Sequence, residues 1–137
     1  MADENKIFDV EIITPDRVFY KGEASMIEFN TSEGEIGVYK KHIPLTTVIA
    51  PGIVTIYEEE KEVTAAVYSG FAEILPDKVT LLAEIAEWPD EIDTARAEAA
   101  KKRAEERLAH KTEAIDVKRA EFALRKALVR LDVADRK

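Results

Sequence analysis

The sequence predicts an α+β protein in two parts, a β-sandwich or flattened barrel of about ten short strands followed by an antiparallel hairpin of two helices. Apolar residues up to Trp88 alternate with a period of two or cluster in short runs. After Pro89 the period becomes helical. All 5 glycines and all 5 prolines lie at or before Pro89, so the chain-breaking residues stop where the period changes. Pro89 therefore marks a boundary between residues 1–88 and residues 89–137.

In the first part, Phe8, Val10 and Ile12 share one face of the opening strand. Further strand runs cover residues 18–20, 26–29, 53–57, 63–68, 71–75 and 79–85. The tip at residues 58–61 is charged, Pro76-Asp77-Lys78 supplies a proline-preset turn, and Gly22, Pro51-Gly52 and Gly70 punctuate the remainder.

In the second part, helix is expected from near Asp90 to about Ala109, with Asp90, Glu91 and Asp93 complementing its N-terminal dipole. His110-Lys111-Thr112 is a short connection. Val117, Ala120, Leu124, Ala127, Leu131 and Ala134 then recur at spacings of three and four, an apolar seam matched by a weaker one at Ala97, Ala100, Ala104 and Leu108. Alanine methyls bury little area, at about 0.8 kcal/mol per CH₂, so such a hairpin is poised to detach or extend.

The 137 residues are 46% hydrophobic, enough for a real core. Without cysteine there is no disulfide, thiolate nucleophile or cysteine-ligated zinc. The start, Met1-Ala2-Asp3-Glu4-Asn5-Lys6, lacks the basic and apolar regions of a secretory signal, and no apolar run is long enough to span a bilayer. A soluble protein without direct membrane insertion is expected. A net charge of −8 argues against nucleic-acid binding. Of the 20 basic and 28 acidic residues, 13 and 11 lie from Asp90 onward, leaving 7 and 17 before it, local balances of +2 and −10. The two parts are suited to different neighbours.

Catalytic chemistry is not legible. Neither G-x-x-x-x-G-K-[ST] nor G-x-G-x-x-G occurs, and Gly34-Glu35-Ile36-Gly37 is too short to cradle phosphate. His42 and His110 have no metal-pair spacing, and Ser25, Ser32 and Ser69 lie outside any nucleophile elbow. The carboxylates Glu58-Glu59-Glu60 read as a solvated turn. No catalytic residue and no metal site is expected.

The segment Ser32-Glu33-Gly34-Glu35-Ile36-Gly37-Val38-Tyr39-Lys40-Lys41-His42-Ile43-Pro44-Leu45-Thr46, followed by Pro51-Gly52, resembles the signature of epsilon subunits of bacterial F-type ATP synthases. Ile13-Thr14-Pro15-Asp16, Ser69-Gly70-Phe71-Ala72-Glu73-Ile74, Lys78-Val79-Thr80-Leu81-Leu82-Ala83-Glu84 and Glu91-Ile92-Asp93 appear in the family's order, so the resemblance covers essentially the whole chain. Lys40 and Lys41 stand where the family usually has a proline and a small or polar residue. The resemblance implies a non-catalytic rotor subunit on the cytoplasmic face of the bacterial plasma membrane. Its sandwich would dock on the gamma subunit and the c-ring, with the loop at residues 33–42, and Glu33, Gly34, Glu35 and His42 in particular, as the interface. Its helical arm would either fold as a hairpin or extend into the catalytic head of alpha and beta subunits. There Arg119, Arg125, Lys126 and Arg130 would meet acidic segments and suppress ATP hydrolysis.

Ile92-Asp93-Thr94-Ala95-Arg96-Ala97 matches the I/L-D-x-x-R-A motif of epsilon subunits that bind ATP. By that resemblance Glu87, Ile92, Asp93 and Ala97 would surround the base, and Arg96, Arg103, Lys126 and Arg130 would hold ribose and phosphates. ATP, with or without Mg²⁺, would be a regulatory ligand and no cofactor is required. Lys126 stands where the best binders carry arginine, and so lacks the bidentate fork. Read from residues alone, an aspartate at a helix start with an arginine three positions on is an ordinary dipole-complementing pair. Ile115-Asp116-Val117-Lys118-Arg119-Ala120 repeats the pattern. An alternative to the rotor reading is a free-standing nucleotide-sensing adaptor with a coiled-coil arm.

Overall fold

The computed structural model describes residues 6–110 and 114–136, without the side chains of residues 114 and 115. The chain separates into two compact units, Met1–Glu87 and Trp88–Lys137.

The first unit is an all-β sandwich of ten strands: β1 (Phe8–Thr14), β2 (Arg17–Ala24), β3 (Met26–Thr31), β4 (Gly34–Val38), β5 (Leu45–Ile49), β6 (Gly52–Tyr57), β7 (Glu62–Val67), β8 (Gly70–Leu75), β9 (Lys78–Ala83) and β10 (Ala86–Glu87). They are bonded in the order β10-β7-β6-β3-β5-β8-β9-β1-β2, with β4 paired to β3 off this path. Neighbours are antiparallel except β1 and β9, which run parallel from Asp9 opposite Lys78 to Ile13 opposite Leu82. The two-residue alternation seen in the sequence puts Phe8, Val10, Ile12, Ile27, Phe29, Val54, Ile56, Ala72, Ile74, Val79 and Leu81 inside, each no more than 3% exposed.

β3 joins the two halves. Met26, Ile27 and Glu28 pair with Tyr57, Ile56 and Thr55 of β6, whereas Thr31 pairs with Ile49 of β5. The bend is held at Thr31, whose hydroxyl donates to the Gly34 carbonyl at 2.8 Å and accepts from the Glu33 N–H at 3.1 Å. β4 and β5 are absent from the strand runs expected from sequence, and Gly34–Val38 falls inside the stretch read as one loop, residues 33–42. The reason is composition: two glycines and a glutamate in five residues leave Ile36 and Val38 as the only apolar signal. Long-range pairing with β3 forms the strand.

The second unit opens with a 3₁₀ turn at Pro89–Glu91, followed by α1 (Thr94–Ala109) and α2 (Ala114–Ala134), which pack against each other as a hairpin. The first helix thus starts four residues later than expected. Proline at its first position favours a tight turn, the Glu91 carboxylate accepts from the Trp88 N–H at 2.9 Å, and Asp93 is left to cap α1. Both seams lie where the spacing placed them: Ala97, Ala104, Ala120, Ala127 and Ala134 are buried, as is Val133, which the spacing did not single out. Lys111 and Thr112 of the expected connection lie outside the described residues.

Two predictions follow from the sandwich. Gly70 has φ +137°, and a Cβ there would stand 1.9 Å from the Leu82 carbonyl oxygen. Gly70→Ala is expected to cost about 2 kcal/mol or more, read as a lower denaturant midpoint for the sandwich. The Tyr57 hydroxyl donates to Glu28, and that bond, with partial desolvation and nearby carboxylates, pushes the phenol up from 10.0 to about 12. The folded state keeps this proton after the unfolded chain has lost it, so stability present below 10.0 is lost as pH rises toward about 12. Unfolding curves across that window should be flatter for Tyr57→Phe, and an unchanged slope would remove the bond from the alkaline transition.

Candidate functional site

Three surfaces carry the residues of interest. The first is an apolar row on the outer face of the sandwich. Val48 lies opposite Phe71, Phe71 opposite Leu82, Leu82 opposite Ile13 and Ile13 opposite Val18, a continuous line across β5, β8, β9, β1 and β2. Val18, Val48, Phe71 and Leu82 are 58%, 48%, 57% and 49% exposed. The register shift between Ile12 and Ile13 leaves Phe19 without a facing partner in β1, so that Val18 joins the row while Phe19 is buried. The next row on this face, Thr46, Glu73, Thr80, Glu11 and Lys21, is polar. It is tied down by an ion pair of 2.9 Å between Lys78 and Glu11, which lowers the Glu11 pKa. An exposed apolar line with a polar border has the chemistry of a docking surface.

The second surface is the region read as one interface loop. The structure divides it. Glu33 and Gly34 occupy the turn before β4, Glu35 is on the strand, and His42 lies beyond its far end, so the five-residue strand separates the carboxylates from the imidazole. Glu33, Gly34 and Glu35 are exposed and His42 is partly buried. The His42 ring is bonded through Nδ1 to the Ile43 carbonyl at 2.8 Å. Lys41 adopts φ +64°, and its N–H donates to the Pro76 carbonyl at 2.6 Å, which anchors a left-handed residue where the sequence carries two lysines. Tyr39 and Ile43 flank it at 63% and 79% exposure.

The third surface is on the hairpin. Asp93 is the N-cap of α1, its carboxylate accepting from the Arg96 N–H at 3.0 Å. The motif at residues 92–97 thus has the ordinary structural role that its residues allow, with Ile92 and Ala97 buried and the Arg96 side chain exposed. Its repeat differs: Asp116 lies within the first turn of α2. Arg96 and Arg103, seven apart, precede the buried Ala97 and Ala104, so they lie on the same side of the seam two helical turns apart. On α2, Lys126 and Arg130 are four apart beside Ala127, both partly buried. The Lys126 ammonium lies 5.0 Å from the centre of the Phe122 ring, which restrains it as an aromatic face restrains a cation. Arg119 and Arg125 are exposed. Glu87 belongs to the first unit, in β10, where it accepts from the Tyr68 hydroxyl at 2.7 Å.

Residues 7–89 match the family described as ATP synthase, Delta/Epsilon chain, beta-sandwich domain, and residues 90–135 match ATP synthase, Delta/Epsilon chain, long alpha-helix domain. The chain belongs to the ATP synthase delta/epsilon chain family. It is 51% identical over 128 residues to the ATP synthase epsilon chain of Shouchella clausii, covering 93% of this chain and 95% of that one. It is 45% identical over 130 residues to the epsilon chain of Ruminiclostridium cellulolyticum, covering 95% and 97%. Among solved structures, a chain of the Euglena gracilis mitochondrial ATP synthase matches with a TM-score of 0.78 at 25% identity, over 93% of this chain and 80% of that one. A chain of the Tetrahymena thermophila central stalk and c-ring shares the fold, with a TM-score of 0.60 at 12% identity, over 93% and 96%. This delta/epsilon chain is therefore an epsilon-type accessory subunit of ATP synthase. Among its described residues there is no cluster able to hold a metal ion, and no helix long and apolar enough to cross a membrane.

The apolar row, Tyr68 and Phe122 were not singled out from sequence. Phe122 was legible, four residues before Lys126 on one helix face, but the row requires the pairing register of five strands. Asp93→Ala is expected to destabilise α1 by about 1 kcal/mol and Asp116→Ala by less, read as helicity and melting temperature. Equal effects would mean that the Asp93 cap contributes no more than a dipole contact.

Proposed function

We propose that this chain is a non-catalytic rotor subunit of the central stalk, coupling ion translocation to ATP synthesis while its helical arm restrains ATP hydrolysis. The apolar row carries the docking part of this reading. Five outward residues in register across five strands would lose stability in water, and burying apolar area yields about 25 cal/mol per Å². The row is proposed to seat on the gamma subunit. The exposed turn at Glu33, Gly34 and Glu35 and the separate tip at His42 are proposed to meet the c-ring at two points. The chain would then reside on the cytoplasmic face of the bacterial plasma membrane through its partners.

The arm is proposed to switch between the hairpin and an extended form that reaches the alpha and beta subunits, where Arg119, Arg125, Lys126 and Arg130 would engage acidic segments. The seam of alanines supports this, because only a small apolar area holds the hairpin closed. ATP, with or without Mg²⁺, is proposed as the ligand that favours the hairpin. Glu87, Ile92, Asp93 and Ala97 would surround the base, with Arg96, Arg103, Lys126 and Arg130 holding ribose and phosphates. Two cations beside the seam on each helix support a polyanion site, and a ligand binding only the closed form shifts the balance by its differential affinity.

Phe71→Asp with Leu82→Asp places two carboxylates in the row without entering the core. The variant is expected to fold and to lose co-purification with gamma, and undiminished recovery would move the docking surface elsewhere. Mg-ATP titrated calorimetrically into the isolated chain should bind saturably, and Arg96→Ala should weaken it at least tenfold. Failure of the unmodified chain to bind would remove the nucleotide switch and leave the rotor role standing.

A further inference from the structure

Where α1 ends and α2 begins, the hairpin borders a cavity of about 350 Å³ lined by Arg107, His110, Asp116 and Arg119. Helical spacing brings the four together. Arg107 is three residues before His110, the C-cap of α1, and Asp116 is three before Arg119 in the opening turns of α2, so each pair shares one helix face. Arg107 precedes the partly buried Leu108 and Arg119 the buried Ala120, which sets both arginines beside the seam while all four lining residues stay exposed. The His110 Nδ1 donates to the Glu106 carbonyl at 2.8 Å, which holds the ring and leaves its other nitrogen for the cavity. Among the described residues no ion pair joins Asp116 to either arginine. Two guanidinium groups against one carboxylate give the cavity a net positive charge.

We infer that this cavity is an oxyanion site that takes inorganic hydrogen phosphate. A guanidinium fork matches the oxygen edge of a tetrahedral oxyanion, and two forks from different helices can grip one anion between them. Asp116 decides which anion. A carboxylate only accepts, so it repels an anion that carries no proton and takes a hydrogen bond from one that does. Inorganic phosphate keeps a P–OH at neutral pH and sulfate has none. A phosphate monoester, with a second pKa of about 6, has lost most of its own. A ligand gripped by both helices stabilises the closed hairpin by mass action. In the arm reading proposed above, phosphate would thereby hold Arg119 back from the extended form, whereas binding itself does not depend on that reading.

The chain has 2 histidines, His42 in the sandwich and His110 at the cavity, so the proton NMR signals of their ring C–H groups report the site beside an internal control. Inorganic phosphate titrated into the full chain, without nucleotide and at fixed neutral pH and ionic strength, should shift the His110 signals saturably. Arg107→Gln and Arg119→Gln should each weaken that response about tenfold or more, through loss of a charge-assisted fork, and leave the His42 signals as they are in the unmodified chain. Sulfate and methyl phosphate should bind about tenfold more weakly than phosphate, and Asp116→Asn, which supplies a donor, should close the gap for sulfate. Circular dichroism checks that each variant keeps its helices. A His110 response that does not saturate, that survives both arginine substitutions, or that is equal for the three anions would reduce the four residues to a solvated helix face and overturn the inference. So would an Asp116→Asn variant that still prefers phosphate to sulfate.

Discussion

The sandwich depends on one strand changing partners. β3 begins against β6 and ends against β5, and β4 folds back along its length. Through that transfer the ladder of β10, β7 and β6 is continuous with that of β5, β8, β9, β1 and β2. The buried Thr31 sits at the transfer because its hydroxyl serves both the Gly34 carbonyl and the Glu33 N–H, groups that the turn into β4 removes from the ladder. The apolar row on the outer face exists because β5, β8, β9, β1 and β2 pair in succession, with the register shift at Ile12 and Ile13 bringing Val18 into line. The conformation of the Glu33–Gly34 turn follows from the same pair of hydrogen bonds.

Much of this was legible in the residues. The change from a two-residue to a helical period at Pro89, with no glycine or proline beyond it, already gives a β-sandwich followed by two helices. The alanine spacing on α1 and α2 named the buried faces because a helix seam is a local property. What was illegible is nonlocal. β4 and β5 are strands through their pairing with β3 and β8 rather than through their own composition. The stretch at residues 33–42 read as a loop contains β4, which lies between Glu33 and His42. Asp93 illustrates a third case, in which motif and local structure coincide: the aspartate at the head of the motif is also the helix cap, and sequence alone does not separate the two roles.

The two units differ in how they hold together. The sandwich buries Phe29, Tyr68 and a layer of isoleucines and valines, and fastens its surface through tyrosine and glutamate pairs. Tyr20 donates to Glu58 at 2.6 Å, and its phenol is raised chiefly by burial and then by that bond. The hairpin buries mostly methyl groups of alanine. Large buried side chains hold the sandwich and small ones hold the hairpin, so opening the hairpin exposes less apolar area. The cation at Lys126 rests on Phe122, a side-chain contact besides the seam that orders a cationic group on α2.

The parallel pairing of β1 with β9 has a consequence for how the chain reaches its fold. β1 and β2 form a hairpin from neighbouring residues, but the other edge of β1 waits for Lys78 and the strand that follows it. A chain emerging from the ribosome therefore carries Phe8, Val10 and Ile12 in a two-strand ribbon with an open edge until β9 is made, since closing a loop that long is entropically slow. Nascent β1 presents alternating charges, Asp9 and Glu11, between those apolar residues. Such charges disfavour pairing with another chain during the wait, so they serve the protein before its core exists as well as after.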